Sequence, residues 1–212
     1  SWRVAAGGII RPQHTNWNVT VSEPQSPAFA AALEPVRVQP DALHFTLGED
    51  WRQGRSCFGG LQAALALVAM RRLTGVAAPL KVLQTTFIGP LSEPDVEVRA
   101  TVLRAGKSVA HVEARLLQGG ETRCLVIGVF GDDRPSAIAV PMAVREAPAG
   151  PEGLRDLPFV KGVAPNFTQH FVWRWATGGF PYSASREPFT RIWLKHRDTT
   201  DASPQGAEIA LV

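Results

Sequence analysis

Two adjacent glycines, Gly59 and Gly60, precede an apolar segment and are the residues of this sequence best placed to bind a ligand. The segment Leu61–Met70 consists almost entirely of Ala, Leu, Val and Met, which predicts a helix enclosed by other structure on all sides. The first N–H groups of a helix have no partner within it, and glycines leave them without side-chain cover. Such groups can bind an anion or a polarised carbonyl, although paired glycines can equally form only a tight turn.

Cys57 and Gln62 flank these glycines and also bear groups that could react or bind. A thiol just before a helix tends to have a lowered pKa, but the sequence places no histidine near Cys57. We therefore interpret Cys57 as a small buried residue. Gln62 is close enough to Gly60 to point at a ligand, and a position on the helix surface is an equal alternative.

A second candidate motif is Ala105-Gly106-Lys107-Ser108, which looks like the end of a phosphate-binding P-loop. The first glycine of a P-loop, which has four residues between it and Gly106, is missing, since that stretch begins Thr101-Val102-Leu103. We therefore interpret this stretch as a plain hairpin turn.

Composition limits the classes of function. The chain has 212 residues, 45% hydrophobic and 19% charged, enough for one large globular domain or one and a half small ones. Its net charge is +3 without a run of Lys and Arg, so we expect no nucleic-acid partner; a modest basic surface suits a phosphorylated small molecule. The two cysteines give neither a disulfide framework nor a metal-binding spacing, so we expect no metal and no cofactor.

The same features predict a cytoplasmic protein that does not cross a membrane. A reducing compartment is the default for two cysteines without a disulfide framework. The first residues lack the order of a signal peptide, and no apolar run reaches the roughly 20 residues that a membrane helix needs.

The elements that must position the glycines follow from periodicity. One strand, Leu43–Leu47, is predicted before the apolar helix, and four strands after it. Their short connections favour antiparallel neighbours in chain order. A sheet that curls round the helix is the simplest way to bury it, so the predicted class is α+β. The four later strands are predicted at 81–88, 95–103, 108–117 and 122–130.

The chain is predicted to have four parts. Residues 1–25 lack a sustained period and are interpreted as a leader or arm that packs locally at most. Residues 26–133 form the first domain, which begins with a short helix after Ser26-Pro27. Residues 134–166 are rich in proline and are interpreted as a linker, and residues 167–212 as the start of a second domain.

The last part repeats the opening of the first domain. Strands are predicted at Phe167–Trp175 and Phe189–His196, followed by an apolar helix from Ala207. A helix that is apolar all round needs a covering sheet, so we expect either further residues after Val212 or a partner that supplies the cover.

Several stretches together resemble the acyl-CoA thioesterases of the double hot-dog type, the TesB-like or type II group. The resemblance covers about residues 40–131 well, and residues 167–212 less specifically. It implies a hot-dog fold, an antiparallel sheet wrapped round a central helix, with a second unit that is incomplete in this chain. The stretches are Trp51 with Gln53-Gly54-Arg55, Phe58-Gly59-Gly60 before the Ala/Leu helix, Thr86-Phe87-Ile88-Gly89-Pro90, and Leu103-Arg104-Ala105-Gly106-Lys107-Ser108.

The activity that this resemblance implies is hydrolysis of an acyl-CoA thioester to a free acid and coenzyme A. In the family a helix N-terminus binds the thioester carbonyl, while a carboxylate with Thr and Gln neighbours orients or activates water. The substrate-binding residues implied by position are Phe58, Gly59 and Gly60 at the helix start, Gln84 and Thr86 on the next strand, and Arg104, Gly106 and Lys107 at a hairpin where a phosphate of coenzyme A could rest.

The chain departs from the family pattern in its catalytic acid. In the TesB-like group the acid, Thr and Gln belong to the second unit, and the first helix here has no Asp or Glu. The acid is therefore expected beyond Val212. A non-catalytic acyl-CoA-binding protein that keeps the fold is the alternative. We also expect a homo-oligomer, because hot-dog sheets bury their edges against one another.

Overall fold

The computed structural model describes residues 2–5, 9–12, 29–138, 140, 150–180, 183–198 and 203–212. The α-helices are α1 (Phe29–Ala32), α2 (Gly59–Thr74) and α3 (Pro204–Leu211), with short 3-10 helices at Glu49–Trp51 and Asn166–His170. The strands are β1 (Trp2–Ala5), β2 (Ile9–Pro12), β3 (Arg37–Val38), β4 (Ala42–Thr46), β5 (Arg52–Gln53), β6 (Ser56–Cys57), β7 (Leu80–Phe87), β8 (Asp95–Ala105), β9 (Val109–Gln118), β10 (Glu121–Gly131), β11 (Phe171–Gly178) and β12 (Thr190–His196).

Helix α2 forms the buried centre of the molecule, as the sequence predicts. All ten residues from Leu61 to Met70 are buried, so no side of this stretch faces solvent. The helix ends where Gly75 adopts φ +68° and donates its N–H to the Arg71 carbonyl. The sheet covers α2 with alternate residues of its strands, among them Phe45, Val96, Val98, Val112, Leu116 and Val126.

The six-stranded antiparallel sheet has the order β3-β4-β8-β9-β10-β7. The predicted meander in chain order is therefore wrong at its first step, because β7 pairs with β10 rather than with β8. Residues 88–94 do not form a hairpin. They cross beneath the start of α2, where buried Leu91 accepts a hydrogen bond from the Cys57 N–H at 2.9 Å. This crossing leaves β4 beside β8 and places β7 at the outer edge of the sheet.

The strand predicted at Phe167–Trp175 is wrong in its first half. Residues Asn166–His170 form a 3-10 helix, and β11 begins only at Phe171 and pairs with β12. The 3-10 helix forms here because this segment packs against Glu49–Trp51 rather than against a neighbouring strand. In that contact the Asn166 side-chain amide donates to the Glu49 carbonyl at 3.0 Å.

The short elements at the two ends of the chain agree in part with expectation. The helix predicted after Ser26-Pro27 is α1, although those two residues lie outside the described ranges, as do 13–25 and 141–149. β1 and β2 pair with each other within the predicted leader. Helix α3 begins at Pro204 rather than Ala207, with the Ser203 hydroxyl accepting from the Gly206 N–H at 3.0 Å.

Candidate active site at the start of helix α2

The chain reaches α2 through a short hairpin that is fixed on both sides. β5 and β6 pair across a turn in which Gly54 has φ +62°. The Phe58 N–H then donates to the Trp51 carbonyl at 2.8 Å, and Phe58 occupies the N-cap position without a side-chain hydrogen bond. Within the described ranges no acceptor is bonded to the N–H groups of Gly59, Gly60 and Leu61. The amide end of the helix therefore has three donors without an acceptor, two of them on the half-buried Gly59 and Gly60.

Aromatic rings lie against both glycines. A Cβ atom on Gly59 would be 2.8 Å from Cζ of Phe87, and one on Gly60 would be 2.5 Å from Cε1 of Phe58. Neither glycine has a positive φ. Gly60 therefore requires glycine, because the ring above it belongs to Phe58, whereas the ring above Gly59 belongs to the exposed Phe87. Both glycines lie in the first turn of α2 rather than in a separate tight turn.

The Phe58 ring is held in place by neighbouring rings. It is stacked on Phe167 at 3.9 Å between centroids with an interplanar angle of 4°, and it meets Phe171 edge-on at 6.1 Å. Phe167 and Phe171 are both buried. One side of the amide end is thus closed by a packed aromatic cluster, whereas the Phe87 side is open to solvent.

Gln62 does not lie on the helix surface, which was one of the two positions considered from the sequence. It is buried, and its Nε2 donates to the Cys57 carbonyl at 2.7 Å. This bond ties the first turn of α2 to β6. The Oε1 atom of Gln62 has no partner within the described residues, and a role for it in ligand binding stays a prediction.

Cys57 is buried, as predicted, and its environment makes it unreactive. Burial raises the pKa of the Cys57 thiol to about 12, and the nearby charge of Arg52 offsets only part of this effect. Burial likewise raises the pKa of Cys124 to about 11. The pKa lowering that a helix N-terminus can give is therefore outweighed by desolvation.

We expect neither thiol to be alkylated by iodoacetamide in the folded protein at pH 8, and both to be alkylated in urea. Because folding raises both pKa values above 9.0, burying the neutral thiols contributes fully to stability below pH 9. That contribution is lost as the pH rises towards 12. Mass spectrometry after labelling measures the fraction of each cysteine that is alkylated, and rapid alkylation of Cys57 in the native state would contradict this account.

Gln84 and Thr86 are not brought to the amide end of α2. Side chains alternate along β7, and the partly buried Leu83 and Thr85 share a face with Phe87, which contacts the helix. Gln84 and Thr86 are exposed on the opposite face. Their role in substrate binding stays a prediction.

Arg104, Gly106 and Lys107 lie at the other end of the sheet. They are exposed in the β8–β9 hairpin, where the Gly106 N–H donates to the Val109 carbonyl at 2.8 Å. The register pairs Val109 with Gly131 and Phe87 with Cys124. The β8–β9 hairpin and the Phe87 end of β7 are therefore seven residues apart along β10, which is roughly 24 Å at about 3.4 Å per residue.

Phe87, Phe167 and His170 are the residues at this site that the sequence analysis missed. His170 is buried and stacked on Trp51 at 3.9 Å, with its Nε2 2.9 Å from an Asp50 carboxylate oxygen. Phe167 and His170 reach the site only because the 3-10 helix packs on Glu49–Trp51, which no local pattern indicates. Phe87 is part of the recognised stretch Thr86-Phe87-Ile88, and strand alternation could have placed it opposite Thr86.

Glu208 is the acidic residue of α3, and its carboxylate is already bonded. One oxygen accepts from the guanidinium of Arg71, and the other accepts from the Leu80 N–H at 2.9 Å. These bonds make Glu208 a link between α3 and α2 rather than a base directed at a ligand. Within the described part of the chain no cluster of His, Cys, Asp or Glu could hold a metal ion, and no helix there could span a membrane.

Residues 47–131 match the family model of the acyl-CoA thioesterase N-terminal domain. No curated protein matches the chain. A conserved protein of unknown function with a hot-dog fold from Alicyclobacillus acidocaldarius superposes with a TM-score of 0.73 at 21% identity, covering 88% of this chain and 68% of that one.

Two mycobacterial structures are also similar. The acyl-CoA thioesterase II TesB2 of Mycobacterium marinum has a TM-score of 0.63 at 19% identity, covering 87% of this chain. The tesB protein of Mycobacterium avium subspecies paratuberculosis has a TM-score of 0.65 at 18% identity, covering 86% of this chain. The chain spans 66% of each of these proteins, slightly under two thirds. The predicted hot-dog fold and the resemblance to TesB-like thioesterases are confirmed.

Proposed function

We propose that this protein hydrolyses an acyl-CoA thioester to a free acid and coenzyme A, because residues 47–131 match the family model of the acyl-CoA thioesterase N-terminal domain. The observation that supports the proposal is the amide end of α2, where Gly59, Gly60 and Leu61 present unbonded N–H groups beside an open aromatic surface. A thioester carbonyl is an acceptor of the right size and polarity for these donors.

The amide end would act on the carbonyl oxygen. Water attacks the carbonyl carbon, the C–S bond breaks, and the proton released by water reaches the leaving thiolate. Negative charge develops on the carbonyl oxygen in the transition state, and N–H groups fixed by the helix stabilise it by about 3 kcal/mol per donor. The rings of Phe58 and Phe167 limit access of bulk water from one side, which strengthens these hydrogen bonds.

The direct test is release of thiol from a panel of acyl-CoAs, followed with a disulfide reagent that absorbs when it reacts with free coenzyme A. Straight-chain substrates of two to sixteen carbons, a benzoyl thioester and a branched thioester cover the main acyl classes. We expect enzyme-dependent release from at least one class. If the protein is folded, as verified by circular dichroism, and releases no thiol from any member of the panel, the proposed hydrolase activity is rejected.

A non-catalytic acyl-CoA-binding protein is the second candidate, and one observation favours it. Helix α2 has no acidic residue, and the carboxylate of Glu208 is occupied by Arg71 and by the Leu80 N–H. A protein of this kind would bind acyl-CoA with the same amide end but would release no thiol. Calorimetric binding without turnover would select it.

We further propose that the protein is a cytoplasmic homo-oligomer. Both cysteines are unpaired, which suits a reducing compartment. Among the described strands β7 pairs with β10 alone, so its other edge offers backbone groups to a second sheet. Sedimentation at micromolar concentration should give the mass of two or more chains, and a monomer at all concentrations would reject this part of the proposal.

We also propose the domain boundaries of the chain and the residues that bind a phosphate of coenzyme A. Residues 26–133 are proposed as the first hot-dog unit and residues 167–212 as the start of a second, with 134–166 as the linker and 1–25 as an arm. Lys107 and Arg104 are exposed and basic, which suits a phosphate of coenzyme A. Their distance from α2 requires the nucleotide to extend along the sheet.

A further inference from the structure

Phe87 differs from the other aromatic residues near α2 because its ring both contacts the helix and faces solvent. The residue is 58% exposed, although its Cζ and Cε1 atoms lie 2.8 and 3.3 Å from where a Cβ of Gly59 would be. Within the described residues it makes no ring-to-ring contact, whereas Phe58 is stacked on buried Phe167. The Phe87 ring is therefore held on one side only and has space to rotate.

The backbone beneath this ring is fixed. Phe87 is paired with Cys124 at the end of β7, and the N–H groups of Ile88 and Gly89 both donate to the Arg123 carbonyl, at 2.8 and 2.9 Å. The ring can consequently move only by rotation about its side-chain bonds. Its position decides how much space exists in front of Gly59.

A carbonyl oxygen bound to the N–H groups of Gly59 and Gly60 would be about 2.9 Å from the donor nitrogens. The carbonyl carbon then lies just beyond, and its two other substituents are the sulfur and the first carbon of the acyl group. The Phe58 side is closed by stacked rings, so both substituents must leave through the open side that Phe87 borders. The apolar ring suits the acyl carbon, since the sulfur side continues into the polar pantetheine arm.

We propose that Phe87 determines acyl specificity by packing against the carbon next to the thioester carbonyl, so that straight acyl groups are accepted and groups branched at that carbon are excluded. This inference rests on the proposed function, because it assumes that the amide end of α2 binds a thioester carbonyl. A single extra methyl group in an apolar site changes selectivity by about 10- to 200-fold, and the fixed backbone beneath Phe87 limits how far its ring can move away from such a group.

The test compares binding of two non-hydrolysable ketone analogues, in which a methylene separates the sulfur of coenzyme A from a straight or a 2-methyl-branched acyl carbonyl. Dissociation constants are measured by calorimetry for the wild type, Phe87→Ala and Ile88→Ala. Ile88 is the matched control because it is equally exposed, at 58%, whereas the three atoms nearest to a Cβ on Gly59 all belong to Phe87. We expect the wild type and Ile88→Ala to prefer the straight analogue, and Phe87→Ala to lose about tenfold or more of that preference.

The outcomes separate this inference from the proposed activity. An unchanged ratio in Phe87→Ala, or the same change in Ile88→Ala, would overturn the role of Phe87. Binding with the expected ratios but no thiol release from acyl-CoA would overturn the hydrolase and leave Phe87 as the specificity residue of a binding protein. Failure of the wild type to bind either analogue would overturn both.

Discussion

Replacing Arg71 with methionine should lower the free energy of unfolding by about 3–5 kcal/mol, the range expected when one partner of a buried ion pair is removed. The Arg71 side chain is only 7% exposed, and its Nη1 donates to the carbonyls of Val76 and Ala78 at 2.8 and 2.7 Å. Its Nη2 pairs with Glu208, whose side chain is 21% exposed. Arg71→Met leaves that carboxylate and two carbonyls without their donor.

Arg72 provides a matched control on the same turn of α2. It pairs with Glu34 at 3.0 Å, but the two side chains are 43% and 68% exposed. Arg72→Met should therefore cost less than about 1 kcal/mol. Urea unfolding followed by circular dichroism measures both variants, and equal effects would show that the buried network does not hold α3 against α2.

Adding Glu208→Gln to the first variant identifies the source of the loss. Glutamine keeps an oxygen for the Leu80 N–H but removes the charge that Arg71→Met leaves unpaired. We expect the double variant to be more stable than Arg71→Met alone. A double variant that is less stable by the sum of both single effects would mean that the two residues do not interact.

Replacing Gly60 with alanine should lower kcat for thioester hydrolysis by about 100-fold, because alanine keeps the N–H but the clash with Phe58 moves this donor away from the developing oxyanion. The new methyl would stand 2.5 Å from the Phe58 ring, which its stack on Phe167 prevents from moving away freely. The ring or the first turn of α2 must therefore shift. Overpacking of this kind costs about 1–3 kcal/mol of stability, partly offset by the better helix propensity of alanine.

Gly59→Ala is the control for stability. Its methyl would meet Phe87, whose exposed ring is free to rotate, so the free energy of unfolding should stay at or above the wild-type value. A second variant, Gly60→Ala with Phe58→Leu, relieves the clash and should recover part of the activity lost by Gly60→Ala. If Gly60→Ala turns over at the wild-type rate, the oxygen is not bound at this end of the helix.

The sequence predicted the parts of the fold that depend on local pattern. The ten apolar residues Leu61–Met70 form a buried helix because no polar stripe exists to face solvent, and alternation along 95–103 identified β8. The neighbours of β7 could not be predicted in this way. A seven-residue connection suits either a hairpin or a crossing, and only the contact of Leu91 with Cys57 under the helix decides between them.

The candidate site was predictable only in its backbone. Gly59-Gly60 before an apolar helix indicated an amide end with free donors, and that end exists. The Phe87 ring, which lies against Gly59, comes from the far end of β7, and no local pattern indicates that it reaches the start of α2. Gln62 shows the same limit, because its bond to the Cys57 carbonyl depends on the angle at which β6 joins the helix.

The central claim is that the start of α2 polarises a thioester carbonyl, and infrared spectroscopy of a bound ketone analogue tests it most directly. With the analogue carbonyl labelled with carbon-13, hydrogen bonds from Gly59 and Gly60 should lower its stretching frequency below the value in water, and Gly60→Ala should shift it back. A frequency in the saturated wild-type complex equal to that in water, unchanged by Gly60→Ala, would contradict the account.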